Sequence, residues 1–492
     1  MQKKSFGQRI MGSMFWMGSG IGIQSLLQVL VMAILSRLLD AEMFGLMSAT
    51  LVITNFADIF SQLGMGPALI QLKDIKKEDI NTAFTATTLF GIGISIIVFL
   101  FSDIFSAIMG MDELNSIYKV FSIVFIVKGL SAVKLSLIEK EMRFKDLAFI
   151  DIVSYTVSFL FIGVMLAFRG YGVWSLVIAN LSQAILKGVA IFIISKERVR
   201  FRISRDSLNK LLAVGSGFTI SKILGYIANN IDYMLVGRLL GPSVLGIYSK
   251  AYQLMALPSN TLGKVVEQVF FPGVSKIQKE RERVKSFYQN SFKFVSFIVL
   301  PITVIMWLFA PEIIEVVLGK GWEATVFPFR ILTISMYFRT AQRLCNPFIK
   351  VIGNISQRIY VQAIYAALVM VGTYIGHFWG IEGVTIGVTT AIIINFILIE
   401  TLCNKLIKID WLEMLQVLKK PILLTVLVGG IFACIMIFTT KLNLYAFNKM
   451  LMDSVLGGTS VVIIILIFSR KIIGCDINTM YKNVLSLIKA EK

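Results

Sequence analysis

Apolar stretches about as long as a bilayer core is thick follow one another along this chain, and short polar connections separate nearly all of them. They fall at 14–35, 43–65, 82–102, 117–138, 149–168, 172–195, 210–236, 244–271, 287–310, 325–349, 359–378, 382–403, 420–440 and 450–470, fourteen in all. A helix needs about 20 consecutive apolar residues to cross the hydrocarbon. Strands of a membrane barrel would instead alternate with period two over about 10 residues. These stretches are longer and apolar all round, so the pattern predicts an all-α integral membrane protein with about fourteen transmembrane helices. The seventh and tenth, 210–236 and 325–349, carry the most polar residues. The first run is too long for a signal peptide and has no small-residue cleavage site, so it reads as a span. Two further segments are amphipathic. Ile477, Met480, Tyr481, Val484, Leu485, Leu487 and Ile488 have the spacing of a helix lying on the inner membrane face. Residues 135–150 read as an interfacial elbow between the fourth and fifth spans.

Composition agrees with the pattern. Hydrophobic residues make up 56% of the chain and charged ones 16%, a balance that a water-soluble globule of 492 residues could not hide. The formal net charge of +19 would suggest nucleic acid in a soluble chain, but its placement is topological. With the N-terminus inside, the inner connections carry Lys3, Lys4 and Arg9; Lys73, Lys76 and Lys77; Lys134, Lys140, Arg143 and Lys145; and Lys196, Arg198, Arg200, Arg202 and Arg205. Lys276, Lys279, Arg281, Arg283, Lys285, Lys405, Lys408, Lys419, Lys420, Arg470 and Lys471 continue the series. The outer connections 103–116 and 376–383 have no lysine or arginine, and the bias is weakest at the last outer turn, with Lys441 and Lys449. That is the positive-inside asymmetry, and it puts both termini in the cytoplasm. The basic loops serve orientation and attraction to anionic lipid. Four scattered cysteines and the single His377 offer neither a zinc motif nor a disulfide scaffold. His377, at the end of an apolar span, reads as interfacial packing.

The chain also repeats itself. Arg37-Leu38-Leu39 aligns with Arg238-Leu239-Leu240, Gly45 with Gly246 and Ser48 with Ser249, an offset of 201. Farther on the offset drifts to about 210: Phe105 to Gly110 aligns with Ile314 to Gly319, Gly170 with Gly380, and Gly172-Val173 with Gly383-Val384. Spans 1–6 and 7–12 are therefore two copies of one six-helix bundle. Six is even, so both copies enter from the same side and run parallel, related by a pseudo-twofold along the membrane normal, one of the repeat plans of secondary transporters. The expected division is 1–200 for the N-lobe, 201–410 for the C-lobe, 411–475 for two added helices and 476–492 for the cytoplasmic tail.

Five segments carry a family resemblance: SRLLDAEMFGLMS, DIFSQLGMGPALIQ, the EKEMRFKDLA elbow, GYGVWSLV and NIDYMLVGRLLGPSVLGIYSKAYQLMALP. In this order, over spans 1–12, they resemble the Wzx-type polysaccharide flippases, in the colanic- and teichuronic-acid exporter branch of the multidrug/oligosaccharidyl-lipid/polysaccharide superfamily. The resemblance implies that superfamily's two-lobed fold in a bacterial inner membrane. It also implies the activity: turning undecaprenyl-diphosphate-linked oligosaccharide units from the inner to the outer leaflet, for later polymerisation and export. Membrane lipids are the other partner, nucleic acid is not one, and no cofactor is implied beyond a coupling ion, H+ or Na+.

Such cargo needs a hydrated, cationic path between the lobes. A charge inside a span costs about 2.5–3.5 kcal/mol on insertion scales and therefore tends to face the interior. The eighth span carries Lys250, Gln253, Leu257, Asn260, Lys264 and Glu267 along one stripe. The seventh adds Lys222, Tyr226 and Asn229, with Asp232 nearby; the second shows Ser48, Asn55, Asp58 and Gln62; the fourth has Lys128, and the tenth Arg330, Arg339 and Arg343. Lys222, Asn229, Lys250, Asn260, Lys264, Lys128 and Arg339 are the candidate substrate contacts, and Asp58, Asp232 and Glu267 the candidate coupling or counter-ion groups. Each has a duller reading. Lys250, Arg330 and Arg343 could snorkel from helix ends, Arg37 and Arg238 could cap outer turns, and Lys222–Asp232 and Lys264–Glu267 could be structural ion pairs. Pro258 and Pro301 could kink the eighth and ninth spans.

Two rival functions are weighed against this one. A drug or small-cation exporter of the same fold should have an acidic pocket, whereas the span charges here lean basic. A membrane polysaccharide polymerase needs large outer loops with paired charged groups, and these outer connections are short. No GxxxxGK[ST] motif occurs, so the chain is not read as an enzyme that hydrolyses ATP. Reporter fusions test the topology. Those after residues 110, 319 and 445 should report the outside, and those after 200, 280 and 410 the cytoplasm; one inverted result in the first twelve spans breaks the parallel repeat.

Overall fold

The structure, a computed structural model, describes residues 6–72, 74–352, 355–439, 448 and 450–460. Each of the first thirteen apolar stretches falls on helix. In order these are α1 (Phe6–Leu35), α2 (Ala41–Gln62), α3 (Met65–Gln71), α4 (Lys77–Leu100), α5 (Ser102–Met109), α6 (Leu114–Phe121), α7 (Ile123–Lys140), α8 (Phe144–Tyr155), α9 (Val164–Phe168) and α10 (Val173–Ile194). Then come α11 (Arg205–Leu240), α12 (Pro242–Ile277), α13 (Arg281–Leu308), α14 (Ala310–Val317), α15 (Val326–Ile352), α16 (Ile355–Gly376), α17 (Gly380–Ile407) and α18 (Trp411–Thr439). Residues 450–460 are helical, while the rest of the fourteenth stretch and the amphipathic tail lie outside the described residues. Among the described residues, eight helical segments are long and apolar enough to cross a membrane, or nine with the bent pair inside α11 counted. The full fourteen is thus not reached on length and apolarity alone.

Two compact units divide the chain at Ser249/Lys250, inside α12. The sequence repeat breaks near residue 200, but α11 packs on α2, α3 and α4 and so belongs to the first unit. That unit's core joins Met65, Leu69, Phe84, Val133 and Leu137 to Leu211 of α11. In the second unit, Phe309, Leu424, Val428 and Phe432 join α18 to the end of α13.

Several turns repeat as the alignment requires. α5 and α14 are both eight-residue helices that follow a long span, and the aligned Gly110 and Gly319 close them with φ of 69° and 97°. Gly170 and Gly380 likewise take φ of 78° and 66°, a region a side chain disfavours. A π-helical stretch, Thr156–Gly163, joins α8 to α9 and was not foreseen from the sequence.

Inside the first unit the repeat-equivalent glycines meet. A Cβ on Gly45 would stand 1.7 Å from the Pro242 carbonyl oxygen, and one on Gly246 would stand 1.7 Å from that of Ala41. Pro242 is Ala41 shifted by 201, so this contact is reciprocal. Hydrogen brings the starts of α2 and α12 into backbone contact where any side chain would hold them apart.

The basic connection after α10 is equally well fixed. Arg200 N–H donates to Asn81 Oδ1 (2.8 Å), Arg202 N–H to Thr85 Oγ1 (3.0 Å) and Ser204 N–H to Thr82 Oγ1 (3.0 Å), while Phe201 rests against Phe84. The elbow between α7 and α8 is a three-residue turn with Met142 at φ 56°. Burial alone would depress the Arg143 guanidinium there, but bonds to Asp146 (2.7 Å) and Glu141 (3.2 Å) more than offset this and raise it above its ordinary value. Lys134, counted with the inner connection, is instead buried within α7, its ammonium 4.3 Å from the centre of the Phe192 ring.

Gly45→Leu or Gly246→Leu should destabilise the protein by at least about 1–3 kcal/mol, the usual penalty for overpacking. Little monodisperse protein should survive size-exclusion chromatography in detergent. Gly93→Ala, where a Cβ meets nothing within 4 Å, should behave as wild type.

Candidate functional site

The polar residues of the spans form separate clusters in each unit. In the first, α2 and α7 bring Asp58 and Lys128 together. Lys128 Nζ lies 3.3 Å from Asp58 Oδ2, and the carboxylate also accepts from Ser61 Oγ (3.1 Å) and Gln62 Nε2 (3.2 Å). One candidate contact and one candidate counter-ion are thus a single ion pair, with side chains 35% and 18% exposed.

α11 supplies the next group. Tyr226 donates to the Val52 carbonyl at 2.8 Å and lies beside Phe56. Asn229 is exposed and donates to the Gly225 carbonyl one turn back. Asp232 is 2% exposed, and its Oδ2 accepts from Tyr248 Oη at 2.6 Å. Lys222 is exposed and ten residues from Asp232, about 15 Å along the helix. The two do not form the pair considered from sequence. Lys222 acts on Glu139 of α7 instead, together with Lys187, which holds Asp151 at 2.5 Å.

Between α2, α4, α5 and α11 the unit has an open cavity of about 390 Å³. Val52, Phe56, Phe60, Ile97 and Met234 line it, with Tyr226 at its wall. It is an apolar space, suited to a hydrocarbon rather than to a diphosphate.

The second unit holds the stripe of α12, and α15 answers it. Arg339 bonds the Tyr252 phenol with its guanidinium 4.9 Å from the ring centre. Thr340 donates to Ser259 (3.0 Å), and Arg343 donates to Asn260 Oδ1 (2.5 Å). Gly263 leaves the room that Arg343 occupies, since a Cβ there would fall 2.3 Å from its Cδ. Lys250 is buried and donates to Gln253 Oε1 at 3.3 Å. Arg330 lies over Trp307. The side chains of Lys264 and Glu267 lie outside the described residues.

The arginines at the outer turns bind backbone: Arg37 the Ala33 carbonyl at 2.5 Å, Arg238 the Ala107 carbonyl at 2.9 Å. His377 stacks on Phe378. Pro301 sits inside an unbroken α13. Sequence reasoning missed Glu400, which is fully buried in α17, along with its partners Tyr288 and Cys345. The signal was available, because Glu400 is the lone carboxylate of the run INFILIETLC. Asp151 and Lys187, facing each other from the fifth and sixth spans, were missed in the same way.

A family model described as "Polysaccharide biosynthesis protein" matches residues 34–327. Among curated proteins the chain is similar to the lipopolysaccharide biosynthesis protein WzxC of Escherichia coli K12, 25% identical over 379 residues and 75% of each chain. It is also similar to the teichuronic acid biosynthesis protein TuaB of Bacillus subtilis, 22% identical over 462 residues, 92% of this chain and 94% of the relative. The succinoglycan biosynthesis transport protein ExoT of Rhizobium meliloti is 23% identical over 328 residues, 67% and 66% of the two chains. Among solved structures, the lipid II flippase MurJ in an inward closed conformation superposes with a TM-score of 0.74 at 16% identity, covering 92% of this chain and 99% of that one. An inward-facing multidrug transporter of the MOP superfamily gives 0.64 at 13% identity, covering 80% and 94%. At these identities the likeness establishes the fold, which is that of the superfamily the sequence motifs indicated.

Asp58 and Lys128 can be tested as a unit. Asp58→Asn and Lys128→Met should each lower the melting temperature in detergent, and the double variant should lose less than the sum of the two. The coupling should be about 1 kcal/mol or less, because the pair is partly exposed. Additive losses would mean that the two charges do not sense one another.

Proposed function

The chain belongs to the polysaccharide biosynthesis protein family, and from that membership we propose that it is a Wzx-type flippase. It turns undecaprenyl-diphosphate-linked oligosaccharide units from the cytoplasmic to the outer leaflet of a bacterial inner membrane, with both termini in the cytoplasm. The curated relatives are named for polysaccharide biosynthesis and transport, and their alignments extend over most of the chain.

The balance of charge within the spans carries the substrate class. Each described carboxylate among the candidates is held by a donor of the protein: Asp58 by Lys128 and Asp232 by Tyr248. Lys222, by contrast, stays exposed. An ammonium in a span is costly unless an anion is near. A diphosphate supplies that anion, and lysine, a flexible point charge with three donors, can follow it as it moves. Lys128, Lys250, Lys264, Arg339, Asn229 and Asn260 complete the proposed path. Asp58, Asp232 and Glu267 are the counter-ions that take over when the diphosphate leaves, and H+ or Na+ is the coupling ion. The delivered unit is then substrate for a polymerase and export machinery outside. A multidrug exporter shares the fold, but the basic lean of the spans and the names of the curated relatives favour a polyanionic glycan carrier.

Lys222→Gln and Lys264→Gln should each fold and insert, yet lower surface polymer in cells by about tenfold or more, a loss of at least about 1.4 kcal/mol in the limiting step. Lipid-linked units should accumulate inside. Arginine at either site should restore part of the export. Wild-type polymer from both glutamine variants overturns the cationic path.

A further inference from the structure

Glu400 sits two turns from the end of α17 and is fully buried. Tyr288 Oη of α13 lies 2.8 Å from both of its oxygens, and Cys345 Sγ of α15 lies 3.3 Å from Oε2 and 3.3 Å from the same phenol. The titratable groups that act on it directly are Tyr288 from α13 and Cys345 from α15; Tyr337 of α15 senses its charge, and Cys403 of its own helix acts on Tyr288 and Cys345. Among the described residues no lysine or arginine nitrogen is within ion-pair distance. Three cations of the surrounding helices are engaged elsewhere: Lys285 with Glu413 (2.8 Å), Arg339 with Tyr252 and Arg343 with Asn260. Lys405, one turn beyond, is exposed. Among the described residues, no group acting on Glu400 comes from α16.

An unpaired carboxylate in a dry interior is so costly that such a group takes up a proton instead. The contacts accommodate that proton. A phenol has one proton to give, so an ionised carboxylate has the two 2.8 Å contacts share it, whereas a carboxylic acid makes each a hydrogen bond of its own, Tyr288 donating to one oxygen and the other donating back. A second observation marks a way in. Asn404, one turn on along the same face, is 3% exposed, yet neither its amide oxygen nor its amide nitrogen has a partner. Buried polar groups left in this way are where proteins hold water.

We propose that Glu400 is a proton-binding site of the second unit, loaded and locked to Tyr288 and Cys345 in this conformation, and that its deprotonation through water at Asn404 couples the transport cycle to the proton gradient. The coupling half rests on the flippase reading above; the proton site stands by itself. The step is a plain ionisation: the carboxylic acid O–H breaks, the proton passes to water, and the electron pair stays on Glu400. The carboxylate left behind needs water or a cation, so it is disfavoured in the packed state. Proton release therefore favours a conformation in which α17 separates from α13 and α15.

Infrared spectroscopy of the full-length protein in liposomes should show a protonated-carboxyl C=O band at neutral pH that Glu400→Gln removes and Glu413→Gln leaves. In the same liposomes, a pH difference of about one unit should shift the steady-state leaflet ratio of a fluorescent undecaprenyl-diphosphate-linked sugar about tenfold per coupled proton. Glu400→Gln should keep the melting temperature and lose that shift, while Glu413→Gln should keep both. A band unaffected by Glu400→Gln overturns the proton site. A wild-type shift that Glu400→Gln leaves intact overturns the coupling. If wild-type protein moves no probe at all, the flippase reading fails, and the infrared band still decides whether Glu400 holds a proton.

Discussion

Hydrocarbon offers no water to a polar group, and most of what is specific in this molecule follows from that constraint. The backbone meets it by becoming helix, with every internal donor and acceptor paired within its own segment. Side chains meet it one by one. Asp58 takes Lys128 and two neutral donors, Asp232 takes a tyrosine, Glu400 takes a tyrosine and a thiol, and Arg339 lies on an aromatic ring. Serines and threonines within the spans turn back to carbonyls three or four residues earlier, as Thr50 does to Leu46 and Thr333 to Phe329. Lys222 differs from these in staying exposed, with Glu139 of α7 as the carboxylate it acts on.

The same constraint explains the glycines. Between helices in lipid there is little hydrophobic driving force, so association depends on close packing and on small residues that let backbones approach. Gly45 and Gly246 do this in the first unit. In the second, α16 and α17 cross with Gly372 against Gly387 and Gly376 against Gly383, each Cβ position falling 2.2–2.9 Å from the opposing carbonyl oxygen. Where the packing is this tight, the helices behave as rigid pieces. Change of shape then has to come from seams held by hydrogen bonds, such as Arg343 to Asn260 or Glu400 to Tyr288.

Charge and cavity play different parts in such a carrier. The cavity in the first unit is lined mainly by phenylalanine, isoleucine and valine and exposes no polar surface to a phosphate. Lys128, Lys222, Lys250 and Arg339 stand on α7, α11, α12 and α15. A cargo with a polar, doubly charged head and a long apolar tail needs both kinds of surface.

The sequence by itself determined the helices, their approximate limits, the repeat and the family, because each of these is written in local hydropathy, in glycine positions or in an ordered set of motifs. It also located Asp58, Lys128, Asn260 and Arg339 as unusual residues for a span. Partnership was decided only in three dimensions. Lys222 and Asp232 share a helix and carry opposite charges, yet helical rise separates them, and Asp232 is closed off by Tyr248. Lys128 and Asp58, 70 residues apart, are a pair because α2 and α7 bring them within 3.3 Å. Glu400 looked like one acid in an apolar run; its meaning comes from a tyrosine 112 residues away and a cysteine 55 away. Local sequence fixes which groups must be buried, but the energy of a buried group depends on what touches it, and helix packing alone decides that.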